Sequence, residues 1–527
     1  MGNNDLDALI APRTDANDEI ELKLLAPAGV LDWLREAPVI VRHAHNGGVA
    51  RRLDTVYYDT PDRTLFRHGL SLRIRRSGNR YVQTVKRAPA HGQPFVRGEW
   101  ESSMDGAAPD LALLPISEIG SPLDQIASDA LDPIFETKVR RQTQRLEFLG
   151  AVVEVAYDQG TIEAGERREP LNEVELEVKA GNPRVLFDLG IELLEIAPLR
   201  IGTQSKADRG YDLAFDLVPK PTRTATPAIT AEHTVDDIVA ELLGTCQHHL
   251  LANQTVAEHG WDHEGVHQMR VALRRLRTAS ALLRRELGLP TMQGLTAEAK
   301  WLATLLGAPR DWDVFVTETL AGPAGRLKLD TVDFDGLRRA AEPHRSIAYA
   351  ALRDALAGAR YNRFHLSLRR WIESRSWRNE LASNSLTVLL EPAPAFAARV
   401  LTRLHRKALR QGAHFRRLDP EARHQLRITL KKLRYATEFF QGIHGKNAER
   451  RQYVGCLAQL QDVLGHDNDT TTTQRFLGDL ADQAVTPEVQ RTIGAVMGWQ
   501  ARDRIELGHE LRKQWRRFAA IAPFWSS

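Results

Sequence analysis

The stretch that decides the fold of the first half is Glu19-Ile20-Glu21-Leu22-Lys23. Its residues alternate with period two, so the two carboxylates and the amine share one face, and Ile20 and Leu22 share the other. This alternation predicts a β-strand with one charged and one apolar face. Glycine turns and short helical pieces separate further segments of the same kind, which are Leu70–Arg76, Tyr81–Arg87, Val96–Glu101, Thr137–Gln144, Val152–Asp158 and Asn172–Lys179.

The charged faces of these strands are sorted by sign. Arg73 and Arg75 share a face, whereas Glu173, Glu175 and Glu177 share another and would repel one another without a cation between them. Two structures remain open: an antiparallel sheet with a solvated charged face, and a closed barrel whose charged faces point inward. Further sets of polar residues at alternate positions, each sharing one face of a predicted strand, are Arg97, Glu99 and Glu101; Glu136, Lys138, Arg140, Gln142 and Gln144; and Glu154 and Asp158.

A barrel of this kind would suit a linear triphosphate. Guanidinium groups bind phosphate through paired hydrogen bonds, and carboxylates supply the oxygen ligands that Mg²⁺ or Mn²⁺ prefers. A metal that bridges phosphate oxygens and polarises a water can support hydrolysis of a phosphoanhydride.

The second half of the chain has a different pattern. A segment rich in Pro and Thr, Val218–Pro227, predicts a linker. Helical spacing follows it. The stretch His267–Arg277 recurs as His424–Arg434, with the histidine, the arginine and a triplet of basic residues at the same offsets. An all-α domain built by internal duplication is therefore expected.

Charge divides the chain in the same place. The formal net charge is +3, but from Ala231 onward there are 43 Lys and Arg against 33 Asp and Glu. This division favours an acidic half that holds cations and a basic half that holds a polyanion.

No apolar run is long enough for a membrane span or a signal peptide, so the expected location is the cytoplasm. Cys246 and Cys456 are too few for a disulfide framework or a thiolate metal site.

The first half resembles the CYTH, or triphosphate tunnel metalloenzyme, superfamily. Its ExExK signature corresponds to Glu19, Glu21 and Lys23. Further motifs follow in the family's order: Tyr57-Tyr58-Asp59-Thr60, Leu70–Arg75, Thr84–Arg87, Glu173–Glu177 and Ser205–Tyr211. The resemblance implies the closed barrel, an inward charged face and metal-dependent chemistry on a triphosphate.

The resemblance also implies roles for individual residues. Glu19, Glu21, Glu173 and Glu175 would be catalytic, and the metal ligands would come from Glu19, Glu21, Glu154, Asp158, Glu173, Glu175 and Glu177. Substrate ligands would be Lys23, Arg73, Arg75, Lys86, Arg140 and Lys206. Arg141 is the alternative to Arg140, which is preferred because it shares a face with Lys138 and Gln142. Which late carboxylate activates water stays open.

The helical half resembles the CHAD domain, which is associated with inorganic polyphosphate. The expected polyphosphate ligands are His267, Arg270, Arg274, Arg277, His424, Arg427, Lys431 and Arg434. His-x-x-Arg is not by itself a metal-ligand spacing, so metal binding by His267 and His424 is the less favoured alternative, and a phosphate contact or a hydrogen bond to Asp311 or Asp462 is the preferred role. A basic groove without interleaved aromatic residues favours polyphosphate over nucleic acid.

The expected organisation is α+β: a flexible N-terminus (1–17), a closed antiparallel barrel with flanking helices (18–217), a linker (218–230) and a duplicated helical bundle (231–527, with repeats of about 231–390 and 391–527). The expected function is hydrolysis of inorganic triphosphate to diphosphate and phosphate with Mg²⁺ or Mn²⁺, while the helical half binds polyphosphate and allows association with polyphosphate granules. The alternatives are a polyphosphate-binding protein without turnover, and a hydrolase or cyclase acting on a nucleoside or thiamine triphosphate, for which Tyr81 and Trp100 could form a pocket. Oligomeric state is left open.

Overall fold

A computed structural model describes residues 18–45, 47–89, 94–327, 330–444, 448–483 and 486–525, without the side chains of residues 384, 420, 462–471 and 503–510. The expected N-terminal segment, 1–17, and the side chain of Asp462 lie outside the described parts. The chain forms two compact units. One contains the residues up to Pro219 together with Ala357–Ser374, and the other contains Lys220–Leu356 and Arg375–Ser527.

Eight antiparallel strands close into a barrel in the first unit. Their order around the barrel is β1-β5-β4-β3-β2-β6-β7-β8, and β8 pairs with β1 to complete the circle, while β9 pairs with the end of β1. The strands are β1 (Asp18–Leu25), β2 (Val49–Asp59), β3 (Leu70–Ser77), β4 (Arg80–Arg87), β5 (Val96–Met104), β6 (Asp132–Phe148), β7 (Ala151–Ala164), β8 (Arg167–Ala180) and β9 (Arg200–Ile201). The expected closed barrel is confirmed.

Strand register sets which residues face inward. Glu21 pairs with Glu177 and Lys23 with Glu175, so the charged faces of β1 and β8 lie side by side on the same surface. The long β6–β7 hairpin turns at Leu149 and Gly150, which both have positive φ, as the tight turn of a twisted hairpin requires.

The helices are α1 (Val30–Arg35), α2 (Pro38–His43), α3 (Thr64–Arg67), α4 (Ile116–Ile119), α5 (Arg184–Ile196), α6 (Lys206–Phe215), α7 (Val235–Ala252), α8 (Gln254–His259), α9 (His263–Leu287), α10 (Thr291–Leu305), α11 (Gly307–Val314), α12 (Ala321–Arg326), α13 (Phe334–Ala357), α14 (Ala359–Glu373), α15 (Trp377–Glu380), α16 (Ala393–Gln411), α17 (Pro420–Phe439), α18 (Ala448–Ala481) and α19 (Pro487–Ala520). Within the described ranges, none of them combines the length and the apolar character that crossing a membrane requires.

Helix α6 closes part of the barrel interior with apolar side chains. Tyr211 is fully buried against Phe135 and Phe66, and its hydroxyl donates a 2.8 Å hydrogen bond to Asp59. The helix begins with a capping box in which Ser205 and Asp208 bond each other's backbone amides. This cap fixes the position of Lys206, the first residue of the helix.

The second unit is all-α, as expected. The duplicated segments form α9 and α17, which contact each other through a buried ion pair of 2.7 Å between Arg275 and Glu438. The segment that connects the barrel to α7 is packed rather than free: the Asn253 side chain accepts a hydrogen bond from the Thr222 amide and donates one to its carbonyl.

Candidate functional site

The barrel encloses a cavity of about 300 Å³. Most of the residues predicted for the site share its wall. Two of the remainder, Asp158 and Glu173, are fully buried beside it, on adjacent strands and directly paired in register. The predicted residues that line the cavity are Glu19, Glu21, Lys23, Arg73, Arg75, Lys86, Glu154, Glu175, Glu177 and Lys206.

Lys206 is at the centre of the buried charge network. Its Nζ is 2.7 Å from both Asp158 Oδ2 and Glu175 Oε1, and it also contacts Glu173. The three carboxylates place one oxygen each within 4.8 Å of the others, which is close enough to share one cation. In this structure the ammonium group is that cation.

Arg141 and Lys23 complete this network. Arg141 binds Asp158 through two bonds of 2.7 and 2.6 Å and also contacts Glu175. Lys23 Nζ is 3.4 Å from Glu175 and 3.5 Å from Glu173. Burial would raise the pKa of Glu175, yet Lys206, Arg141 and Lys23 lower it well below its ordinary value. The network therefore keeps Glu175 ionised in the interior.

A second acidic group lies at Glu177, and it is less well compensated. Burial, together with the neighbouring carboxylates of Glu19 and Glu154, raises the pKa of Glu177 to about 7 against the opposing effect of Lys179. Each of the three acids has one cation beside it, Lys86 at Glu19, Arg145 at Glu154 and Lys179 at Glu177. A divalent cation among the three carboxylates would relieve their remaining repulsion.

The opposite wall of the barrel is cationic. Lys86 is 2.5 Å from Glu19 and 3.2 Å from Glu99, and Arg73 is 3.2 Å from Glu99. Burial and the neighbouring Arg73 and Arg141 lower the pKa of Arg75 to about 10. Among the described residues, the Nε atoms of Arg73 and Arg75 are buried without a hydrogen-bond partner, so this wall retains unused donors.

Arg140 is not part of the cavity, and the choice between Arg140 and Arg141 is corrected in favour of Arg141. Arg140 is exposed on the outer face of β6, together with Lys138, whereas Arg141 lines the cavity. The sequence favoured Arg140 because it shares a face of β6 with Lys138 and Gln142, and that more polar face is the outer one. Close to α6 the inner face of β6 is apolar, with Phe135 and Val139 packed in the cluster around that helix.

Sequence reasoning also missed part of the wall. Glu99, Arg97 and Glu101 line the cavity, and their shared parity on β5 was the signal that could have identified them. Tyr57, Phe66 and Tyr211 supply its aromatic surface. Trp100, considered for a base pocket, lies instead in an apolar cluster with Leu72 and Val85, and among the described residues neither it nor Tyr81 lines the cavity.

The candidate anion ligands of the helical unit differ in exposure. Arg274, Arg277 and His424 are exposed, whereas His267, Arg270, Arg427, Lys431 and Arg434 are half-buried. Arg270 is 3.9 Å from Asp311, and Arg434 donates a 3.0 Å bond to Glu438. Burial and the nearby Arg310 lower the pKa of His267, so its neutral form is favoured.

Cations from both copies of the repeat meet around Lys432. Burial lowers the pKa of this lysine, and four neighbouring cations lower it further. They are Lys407, Arg284, Arg277 and Arg285, which belong to α16 and α9. We call these five residues the basic cluster. Lys432, Lys407, Arg284 and Arg285 were not among the predicted ligands, although the repeat and the charge count of this region point to them.

Comparison with known proteins matches both units. The CYTH domain model matches residues 17–211, and the CHAD domain model matches residues 241–478. An inorganic triphosphatase of Haemophilus influenzae is 33% identical over 169 residues, which are 30% of this chain and 45% of that protein. An uncharacterized protein of Mycobacterium tuberculosis is 25% identical over 461 residues, 81% of this chain and 82% of its own length.

Among solved structures, the CHAD domain from the plant Ricinus communis is 28% identical, with a TM-score of 0.49, over 57% of this chain and 98% of that one. The two domain models match in the order in which the barrel and the helical unit occur along the chain. The chain therefore belongs to the proteins that carry a CYTH domain followed by a CHAD domain.

Proposed function

We propose that the barrel is a metal-dependent inorganic triphosphatase that releases phosphate from triphosphate. The observation that carries the proposal is the sorting of charge across one cavity. Arg73, Arg75 and Lys86 project from β3 and β4, opposite the acidic residues of β7 and β8. A phosphate chain between these walls would have guanidinium donors on one side and metal-binding oxygens on the other.

The net charge of the cavity supports a metal-bound substrate. Among the described residues, nine cationic and eight acidic side chains line it, so the wall is close to neutral. A bare triphosphate would have little electrostatic reason to enter, whereas a triphosphate that brings divalent cations would be neutralised. Glu19, Glu154 and Glu177 would hold one such ion, and the chemistry of three carboxylates fits Mg²⁺ or Mn²⁺. When bound, the ion would polarise phosphate oxygens and lower the pKa of a bound water.

The residues of the chain supply the remaining chemistry. Arg73 and Arg75 would orient the phosphates with the donors that are unused in the ligand-free protein. Lys23 and Lys206 would transfer their hydrogen bonds from carboxylates to phosphate oxygens, which would free Glu173 and Glu175 to accept a proton from the attacking water. This transfer would take positive charge away from Glu173 and Glu175, and the divalent cations that accompany the substrate would offset part of that loss.

We further propose that the helical unit binds inorganic polyphosphate. The basic cluster supports this, since burying Lys432 among four other cations is unfavourable unless an anion offsets their repulsion. The Haemophilus relative carries the name inorganic triphosphatase, and the match to it lies within a part of that protein.

The test is phosphate release from triphosphate by the purified full chain with Mg²⁺ or Mn²⁺, with ATP and thiamine triphosphate assayed in parallel. Triphosphate is expected to be the best substrate, chelation to abolish turnover, and Glu21→Gln to reduce it strongly. Glu136→Gln changes an acid on the outer face of β6 and serves as the matched control. Absence of phosphate release in both wild type and Glu21→Gln, with retention on immobilised polyphosphate, would instead identify a binding protein without turnover.

A further inference from the structure

Helix α14 belongs to the barrel although its sequence lies in the middle of the helical half. Leu356 and Arg375, which flank it, are both part of the other compact unit. The helix packs on α5 of the barrel. Arg370 is 3.0 Å from Asp188, and Arg363 pairs with Glu195. The barrel unit is thus completed by a helix that the helical half of the sequence supplies.

Gly190 of α5 shows how closely α5 is packed between α14 and β1, the strand that carries Glu19, Glu21 and Lys23. A Cβ atom at Gly190 would lie 2.7 Å from Leu22 and 3.2 Å from Leu366. Leu22 stands between Glu21 and Lys23 on β1, and Leu366 lies on α14; both are fully buried. A side chain at this position would have to displace Leu22, so glycine allows α5 to pack closely between these two leucines.

Asn362 of α14 makes a second and more directed contact. It is fully buried, and its Oδ1 accepts a 2.8 Å hydrogen bond from the backbone amide of Ile201. Its Nδ2 donates a 2.9 Å bond to the Gly358 carbonyl, which fixes the orientation of the amide. The side chain therefore anchors β9 to the start of α14.

The segment that Asn362 anchors runs from Ile201 to Lys206, and it contacts Lys23 and ends at Lys206, two lysines that line the cavity. The amide of Gly202 donates a 2.9 Å bond to the Lys23 carbonyl, and a Cβ at Gly202 would lie 2.8 Å from Lys23 Cγ. Four residues further along, the same segment ends at Lys206. Ile201 itself pairs with Leu24 of β1. Movement of this segment would displace Lys23 and Lys206 together.

We propose that Asn362 is a positioning residue for the cavity, because it holds the segment from Ile201 to Lys206 and thereby sets the placement of Lys23 and Lys206 against Glu173 and Glu175. Asn362 is not itself a catalytic residue, since its amide bonds backbone groups. That these lysines bind triphosphate rests on the proposed function, whereas their placement by Asn362 does not.

The test compares Asn362→Ala with Asn253→Ala in the full chain. Asn253 is also fully buried and accepts a 2.9 Å bond from a distant backbone amide, that of Thr222, but it lies in the other unit. Each substitution removes a fully buried amide that both accepts a hydrogen bond from a distant backbone amide and donates to backbone carbonyls, so the two variants lose comparable sets of bonds. A difference between the two variants at the cavity therefore reports position and not general destabilisation.

The primary measurement is the acetylation rate of individual lysines in ligand-free protein, followed by mass spectrometry. Lys206 and Lys23 are expected to react at least about fivefold faster in Asn362→Ala than in wild type, because their ion pairs loosen. Both should be unchanged in Asn253→Ala, and Lys138 on the outer face should be unchanged in every protein. Wild-type rates at Lys206 and Lys23 in Asn362→Ala, or equal acceleration in Asn253→Ala, would overturn the proposal.

Kinetics gives a second measurement if the barrel hydrolyses triphosphate. Asn362→Ala should raise KM about tenfold, equivalent to 1.4 kcal/mol of binding, while Asn253→Ala stays within about twofold of wild type. An unchanged KM in Asn362→Ala would contradict the positioning role. If wild type shows no turnover, the proposed function fails, and the acetylation rates still decide the positioning role.

Discussion

Lys206 and Glu175 form a 2.7 Å ion pair inside the barrel, and the same ammonium group is 2.7 Å from Asp158. Burial lowers the pKa of Lys206, but Asp158, Glu173 and Glu175 raise it well above its ordinary value. One buried amine therefore contacts three carboxylates whose spacing also suits a metal ion, and Arg141 and Lys23 supply further balancing charge. The ligand-free cavity is stable because its phosphate-binding cations and its acids satisfy each other.

Lys206→Met should destabilise the ligand-free protein by on the order of 3–5 kcal/mol, because it leaves buried carboxylates without their cation. Excess Mg²⁺ or Mn²⁺ should restore part of the loss by binding to those carboxylates in the folded state. Urea unfolding of the full chain measures both effects. Lys138→Met, on the outer face, is the control and should leave the unfolding midpoint unchanged. A loss that metal does not reduce would count against metal binding by this group.

Glu177→Gln should stabilise the ligand-free protein at pH 8 by about 2 kcal/mol and should also reduce phosphate release. The pKa of Glu177 is raised from 4.5 to about 7 on folding, so its contribution to stability is present below pH 4.5 and is lost as the pH rises through 7. The gain should therefore vanish near pH 4. Unfolding curves across this range check it, with Glu163→Gln on the outer face as a variant that should give no gain.

His249 should make the stability of the helical unit fall in acid. Burial lowers its pKa from 6.5 to about 4, so the folded protein resists protonation that the unfolded chain accepts. Its contribution is present above pH 6.5 and declines as the pH falls to 4, by about 3 kcal/mol in total. His249→Gln should flatten the pH dependence of the unfolding free energy in this interval, whereas His424→Gln, at an exposed histidine, should not. Identical slopes in wild type and His249→Gln would refute this explanation.

Lys432→Glu should weaken polyphosphate binding by at least about tenfold at low salt, since it places a carboxylate among the four other cations of the basic cluster. The dependence of affinity on salt concentration should also become less steep. Titration with polyphosphate at two ionic strengths measures both. Lys300→Glu makes the same charge change at an exposed lysine of α10 outside the cluster, and equal losses in the two variants would mean that only net charge matters.

Much of the barrel could be predicted because period-two alternation and the order of the motifs both depend on local sequence. The alternation on β1 and β8 placed Glu21, Lys23 and Glu175 on one face, and the structure brings them together. The same rule failed on β6, where the interior of the barrel is apolar around α6 and polarity no longer marks the inward face. Arg140 was preferred over Arg141 for that reason.

The sequence did not reveal which segments that are distant along the chain pack against each other. The all-α expectation for the second half covers α14, but helical periodicity contains no information about the packing of this helix on α5. The packing of α14 depends on the absence of a side chain at Gly190 and on the side-chain amide of Asn362. Single residues of this kind produce no periodic pattern in the sequence. Similarly, the basic cluster joins residues more than a hundred positions apart, and only the repeat indicated that α9 and α17 have related surfaces.

The position of α14 in the sequence has a consequence for the order in which the protein is made. All nine strands leave the ribosome before Pro219, yet the helix that covers Gly190 and caps the Ile201 amide is synthesised after most of the first helical repeat. At ordinary elongation rates the nascent barrel must wait on the order of ten seconds or more for it. During that time Leu22 and its neighbours lack their final cover, so correct maturation of the barrel depends on continued synthesis of the half that follows it.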